Sequence, residues 1–276
     1  AYEQVRQLKP EMIMISMPGL GGTGPLRDYV SLAPTLHAFS GLAHLVGWPD
    51  RSPVGPGTSI ADHAGGLSAV VAILAALEYR RVSGKGQYID LSQFESLCNL
   101  LSVPLLDLAV NGREAERQGN RLEYVACAPH GVYPCQGEDR WCAIAIFSDE
   151  DWQRFCEAMG NPSWSVLPRF STLEGRLENA SELDELLAQW TRERSAEEIM
   201  TLLQRHGVAA GVVQNAEDLL ERDPQLRARG FWPEAEHPEL GRTRYEGLPF
   251  QLDGATMPVR RCAPLLGEHN HYVLVE

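Results

Sequence analysis

From Leu67 to Leu77 the sequence LSAVVAILAAL is apolar on every side of a helical wheel, and charge returns only at Glu78, Arg80 and Arg81. A helix of that kind is expected to be buried nearly all round, at the centre of a fold. Upstream, MIMISM at Met12 to Met17 is a short continuous apolar run, the pattern of a strand covered on both faces, and it implies a parallel sheet. Downstream, SGKGQ reads as a helix-to-strand turn with a left-handed glycine, leading to a strand candidate in YIDLS. The chain therefore reads as α/β.

Other elements follow from spacing and punctuation. Tyr2 to Leu8 reads as the end of a helix stopped by Pro10, and Tyr29 to Val46 has helical spacing at Leu32, Leu36, Phe39 and Leu42, ended by Gly47 and Pro49. A Pro/Gly-rich loop, GWPDRSPVGPGTSIAD, runs to Asp62, and Phe94 to Val110 is a second apolar helix, interrupted at Pro104. After Asn111 the chain becomes polar and Gly-punctuated, which puts a domain boundary near Glu114 to Val125. Beyond it come a hairpin (GVYPCQ, EDR, WCAIAIF) and amphipathic helices at Asp149 to Met159, Ser181 to Arg192 and Ala196 to His206. Capping boxes are expected at Ser181/Asp184 and Ser195/Glu198. GVAAGVV reads as a strand, NAEDLLERDPQLRARG as a helix pair broken by Pro224, and GRTRYEGLPFQL as a final pair of strands.

Charge narrows the function classes. Lys plus Arg is 24 against 37 for Asp plus Glu, so 24 − 37 = −13 in 276 residues, a field that repels phosphate backbones and anionic lipid. Neither nucleic acid nor a membrane is expected as a partner. Six cysteines without a C-x-x-C pair read as reduced core residues, and the nearest approach to a metal cluster, Cys127, His130 and Cys135, lacks a fourth ligand, so no metal is expected. No segment of 18 or more residues is apolar without charge, and AYEQVRQLKPE has neither the basic start nor the apolar run of a signal peptide. A reducing cytoplasm fits both.

Two features carry chemistry. Gly19, Gly21 and Gly24 satisfy G-x-G-x-x-G after a strand, but Pro25 follows at once and no acidic residue ends a second strand about twenty positions on. The loop reads as a nucleotide-binding turn or, alternatively, as a tight turn that shapes a ligand site. Asp62 stands where the long loop meets the buried helix. One account makes it part of a capping box with Ser59; the other makes it a reactive carboxylate, because Gly65 and Gly66 cost roughly 0.5 to 1 kcal/mol each in a helix and imply close approach there. His63 points about 100° away from Asp62 on a helix and reads as packed or solvent-facing. Arg27 and Asp28 read as phosphate ligands or as a surface pair.

The sequence resembles the class III CoA-transferases, a family that includes formyl-CoA transferase and extends to α-methylacyl-CoA racemase. The resemblance runs through SMPGLGGTGP at Ser16 to Pro25, SGLAHLVGWPDRSPV at Ser40 to Val54 and IADHAGGLSAVVAILAALEYRRVSGKGQYIDLS at Ile60 to Ser92, then RGFW at Arg229 to Trp232 and APLLGEH at Ala263 to His269. It implies that Asp62 is the nucleophile, forming a mixed anhydride with the acyl group and then an aspartyl-CoA thioester. It further implies CoA contacts at Arg27, Asp28 and Tyr29, and an oxyanion or acyl-group contact at Gly65 and Gly66. No tightly bound cofactor is implied; acyl-CoA and a carboxylic acid are the substrates. Racemases of the family place a catalytic histidine where this chain has Leu26, Arg27 and Asp28, which counts against an isomerase, the alternative activity.

The implied fold is a Rossmann-like large domain over residues 1–120, a small α+β domain over 121–249 and a C-terminal segment, 250–276, returning to the large domain, in an interlocked dimer. Relatives begin with a further N-terminal segment, so the large domain is expected to be incomplete here. The chain is then expected to work as a homodimer, or as a hetero-oligomer with a homologous chain or with that segment. The alternative is a non-catalytic subunit or truncated homologue paired with an active enzyme.

Overall fold

The computed structural model describes residues 2–275 and is a mixed α/β structure, which divides into two compact units, Ala1–Gly131 and Val132–Glu276. In the first unit the order is α1 (Tyr2–Leu8), β1 (Met14–Ser16), α2 (Ala33–Phe39), α3 (Leu42–Leu45), α4 (Ile60–Ser83), β2 (Tyr88–Asp90), α5 (Gln93–Leu100) and α6 (Ser102–Asn111). β1 and β2 pair in parallel, with Met14 opposite Tyr88, Ile15 opposite Ile89 and Ser16 opposite Asp90. The expected strand–helix–strand unit is therefore present, and α4 is its crossover.

The turn into β2 is held at close quarters. A Cβ on Gly86 would come within 1.9 Å of the Met12 carbonyl oxygen, and the Gly86 N–H donates to Pro10 O at 3.0 Å. The Tyr2 ring stacks on Tyr88 with centroids 5.4 Å apart, which packs α1 against the start of β2. Two expected helices come out divided. Gly41, at φ +85°, separates α2 from α3, and Leu101 separates α5 from α6. Pro104 is not the interruption: it lies in the first turn of α6, where its missing N–H has no helical partner to lose.

One expectation is corrected in α4. Ala61, Gly65, Ala69 and Ala76 are its buried side, whereas Leu67 is 73% exposed and Val71 68%. The unit's core lies where Leu36, Ala61 and Leu97 meet, joining α2, α4 and α5. A two-stranded sheet and these short helices are too narrow to wrap a 24-residue apolar helix. By length and composition α4 would also span a bilayer. Its place between two paired strands, with small residues against α5, makes it a crossover helix.

The second unit contains β3 (His130–Pro134), which begins at the unit boundary, β4 (Trp141–Ala145), α7 (Asp149–Ala158), α8 (Leu173–Glu178), α9 (Ala180–Arg192), α10 (Ala196–Arg205), β5 (Ala209–Val212), α11 (Pro224–Ala228), β6 (Glu234–His237), β7 (Gly241–Arg244) and α12 (Asn270–Leu274). β4 is the central strand of β3-β4-β5, antiparallel to β5, and β6 pairs with β7 as a hairpin. Amphipathic α7, α9 and α10 close over the sheet, burying Ile144, Ile146, Phe155, Phe170, Leu183, Leu187, Ile199 and Leu203. Burial pushes the Cys142 thiol up to about 12, and all six cysteines are free.

Polar groups in this core are paired. Arg176 is fully buried, donates to Asp149 Oδ1 at 2.9 Å and to Phe170 O at 3.2 Å, and lies over the Trp152 ring. The guanidinium of Arg140, 2.6 Å from Asp218, holds that buried carboxyl below its ordinary range. Of the two expected capping boxes, Ser195/Glu198 forms. Ser181/Asp184 does not, because α9 starts directly after α8 with Asn179 as its N-cap, and Asp184 Oδ1 accepts from Tyr133 Oη at 2.7 Å.

Phe155 is fully buried with ring centroids 5.7 Å from Trp152 and 6.3 Å from Trp190. Phe155→Ala is expected to destabilise this unit by about 3–5 kcal/mol, read as a drop in the urea midpoint. A loss under about 1 kcal/mol would contradict this core.

Candidate active site

The carboxyl ends of β1 and β2 bring three segments together, as parallel pairing requires: the Gly-rich loop after β1, the β2–α5 junction and the N-terminus of α4. The loop is tied to the junction by main chain. Leu91 N–H donates to Ser16 O at 2.9 Å, Gln93 N–H to Pro18 O at 3.4 Å and Phe94 N–H to Gly19 O at 2.8 Å. Ser92 caps α5 by accepting from Glu95 N–H at 3.2 Å.

The loop closes on an anion, and that anion is the protein's own. Gly22 N–H is shared between Asp90 Oδ1 at 2.9 Å and Oδ2 at 3.1 Å, and a Cβ on Gly22 would lie 2.8 Å from Oδ2. Gly21 and Gly24, on either side of this contact, hold φ values of +89° and +84°, in the left-handed region that favours glycine. Of the two readings of Gly19, Gly21 and Gly24, the tight turn is the one seen: a nucleotide phosphate here would meet Asp90.

Asp62 lies in the first turn of α4, exposed, with one donor on each carboxylate oxygen. Ser59 Oγ donates to Oδ2, and Gln93 Nε2 donates to Oδ1 at 3.1 Å. A carboxylate oxygen cannot donate, so the amide edge facing it is the NH₂. The capping box proposed for Ser59 and Asp62 does not form: Ser59 makes no side-chain cap hydrogen bond, and its hydroxyl is spent on the carboxylate. The free helix end is satisfied differently. Ala61 N–H reaches the Nε2 of buried His37 at 3.4 Å, which leaves the ring proton on Nδ1.

Gly65 and Gly66 differ. A Cβ on Gly65 would come within 3.1 Å of Gln93 Cγ and 3.6 Å of Met17 Cε, so this glycine admits Gln93 beside Asp62. A Cβ on Gly66 would meet nothing within 4 Å. Both lie beyond the first turn of α4, where each N–H is taken by the carbonyl four residues back. Of the two, only Gly66 borders open space.

Other expected residues are dispersed. Arg27 pairs with Asp28 at 3.3 Å in an exposed loop that also holds Tyr29, with the two charged side chains 60% and 86% exposed. His63 is exposed. His130 Nδ1 meets Asn120 O, and among the described residues no group of three or more His, Cys, Asp or Glu side chains gathers to hold a metal. Sequence reasoning missed Gln93, His37 and Asp90. The usable signal for Gln93 was its place at a helix start three residues beyond a parallel strand, the edge where open α/β sheets put their sites.

A family model described as CoA-transferase family III matches residues 1–270. Succinyl-CoA–D-citramalate CoA-transferase of Chloroflexus aurantiacus is 32% identical over 275 residues, covering 100% of this chain and 67% of that protein. The beta subunit of succinyl-CoA–L-malate CoA-transferase from the same organism is 30% identical, covering 100% and 68%. The crystal structure of a CAIB/BAIF family protein from Brucella suis superposes with a TM-score of 0.87 at 27% identity, covering 99% of this chain and 70% of that one.

The two glycines of α4 are separable by experiment. Gly66→Ala is expected to stabilise the fold by about 0.5–1 kcal/mol, the helical gain of Ala over Gly. Gly65→Ala is expected to lose that gain against Gln93. Equal midpoints for the two variants in urea unfolding would contradict the difference in their surroundings.

Proposed function

Because the chain belongs to CoA-transferase family III, we propose that it moves coenzyme A from an acyl-CoA to a carboxylic acid, with Asp62 as the nucleophile. The observation that carries this reading is a carboxylate open to solvent at the carboxyl edge of a parallel pair, held at both oxygens and beside unfilled space at Gly66. In the first step an Asp62 oxygen attacks the thioester carbonyl, the C–S bond breaks and CoA leaves as a thiolate. The product is a mixed anhydride. The thiolate then attacks Cγ of Asp62, the acyl group departs as a carboxylate, and an aspartyl-CoA thioester remains. An acceptor carboxylate reverses both steps.

The names of relatives acting on succinyl-CoA support a dicarboxylic donor. Gly66 gives room for the acyl group. Arg27, Asp28 and Tyr29 are the proposed CoA contacts: the Arg27 guanidinium suits a phosphate once its exposed pair with Asp28 opens. We read the first unit as part of a Rossmann-like large domain, residues 1–120, with 121–249 as the small domain and 250–276 returning to the large one. The exposed apolar side chains Leu67, Val71 and Leu74 on α4, and Leu106 and Val110 on α6, support an interlocked dimer. A relative named as a beta subunit supports a homologous chain as the alternative partner. Free thiols support the cytoplasm.

With succinyl-CoA and borohydride, the peptide containing Asp62 is expected to lose mass as its thioester is reduced to an alcohol, and Asp62→Asn is expected to give no such product. An unmodified Asp62 in the wild-type chain would overturn the reading.

A further inference from the structure

We infer that Gln93 is the oxyanion donor for every step that takes place at the carboxyl carbon of Asp62. The inference rests on the reading of Asp62 as nucleophile and adds to it a residue that acts on the reacting atoms. When the CoA thiolate attacks Cγ of the mixed anhydride, the S–Cγ bond forms and the carbonyl electron pair moves onto the oxygen not engaged in the anhydride. As that pair returns, the bond from Cγ to the bridging oxygen breaks and the donor acid leaves as its carboxylate. Negative charge thus builds on an oxygen of Asp62 itself, and a donor preorganised there stabilises it as it develops.

The geometry identifies the donor. Gln93 Nε2 is 3.1 Å from Oδ1, whereas Oδ2 faces Ser59 Oγ. The assignment of Oδ2 as attacking oxygen and Oδ1 as the developing oxyanion follows from these partners: a serine hydroxyl rotates away freely, whereas the Gln93 side chain is anchored at its root. Its backbone N–H is bonded to Pro18 O, its neighbour Phe94 to Gly19 O, and its Cβ and Cγ lie 3.8 and 3.1 Å from where a Cβ on Gly65 would be. The alternative donors nearby are spent. Ala61 N–H goes to His37, Asp62 N–H and His63 N–H to Ser59 O, and Gly22 N–H to Asp90. Gln93 is therefore the donor that this site offers to Oδ1, and Gly65 is the reason it fits.

The consequence is a division of labour among the chemical steps. Attack of Asp62 on succinyl-CoA places charge on the substrate's oxygen, out of reach of Gln93 in its role on Oδ1; transfer of CoA onto Asp62 places it on Oδ1. Gln93→Met keeps the length of the side chain and removes the donor, and Gln93→Glu replaces it with an acceptor. In the full chain with succinyl-CoA, appearance of the Asp62–CoA adduct, followed by rapid quench and intact-protein mass spectrometry, is expected to slow about 100-fold in either variant, the scale seen when one oxyanion donor is lost. The KM for succinyl-CoA and the thermal midpoint are expected to stay near wild type, which a merely structural role for Gln93 would not allow. Wild-type rates of adduct formation in whichever variant folds would overturn the inference while leaving Asp62 as nucleophile. Absence of the adduct from the wild-type chain would overturn both.

Discussion

Three residue pairs, Met14 with Tyr88, Ile15 with Ile89 and Ser16 with Asp90, set the register on which the candidate site depends. Side chains alternate along a strand, so a slip of one residue would turn Asp90 away from Gly22 and carry the start of α5 out of line with α4. The register is short, and the main-chain bonds from Leu91, Gln93 and Phe94 to Ser16, Pro18 and Gly19 extend it past the strand ends. That extension brings Gln93 to a carboxylate 31 residues earlier in the chain.

The same edge shows two carboxylates treated differently. Asp90 is engaged at both oxygens by the Gly22 amide of the glycine loop. Asp62 keeps its exposure, with one side-chain donor on each oxygen. The first carboxylate organises backbone; the second remains chemically available. Small residues govern the approach, since Gly65 admits Gln93 and Gly66 leaves a space that the chain itself does not fill.

Much of this was legible in the sequence because it rests on local physics. The apolar crossover helix, the turn at Gly84 and the strand on either side follow from periodicity and turn chemistry, and Ser195/Glu198 caps α10 as its spacing predicts. What was illegible depends on contacts between distant segments. The exposure of Leu67 and Val71 follows from how narrow the sheet is, which no helical wheel reveals. Ser181/Asp184 fails as a cap because α8 runs into α9 and Tyr133 claims the carboxylate. At the site, Asp62 stood out by position, but its partner Gln93 belongs to another helix and had no spacing to mark it.

The central claim is that an Asp62 oxygen departs with the donor acid and is replaced by an oxygen of the acceptor. Its most direct test follows oxygen through one turnover, with succinyl-CoA as donor and succinate labelled with ¹⁸O in its carboxylates as acceptor. The acceptor's oxygen becomes the bridge of the second anhydride and stays behind when Asp62 departs. Tandem mass spectrometry is therefore expected to find ¹⁸O in the Asp62 side chain after a single turnover. Product succinyl-CoA formed with no label in Asp62 would contradict the account.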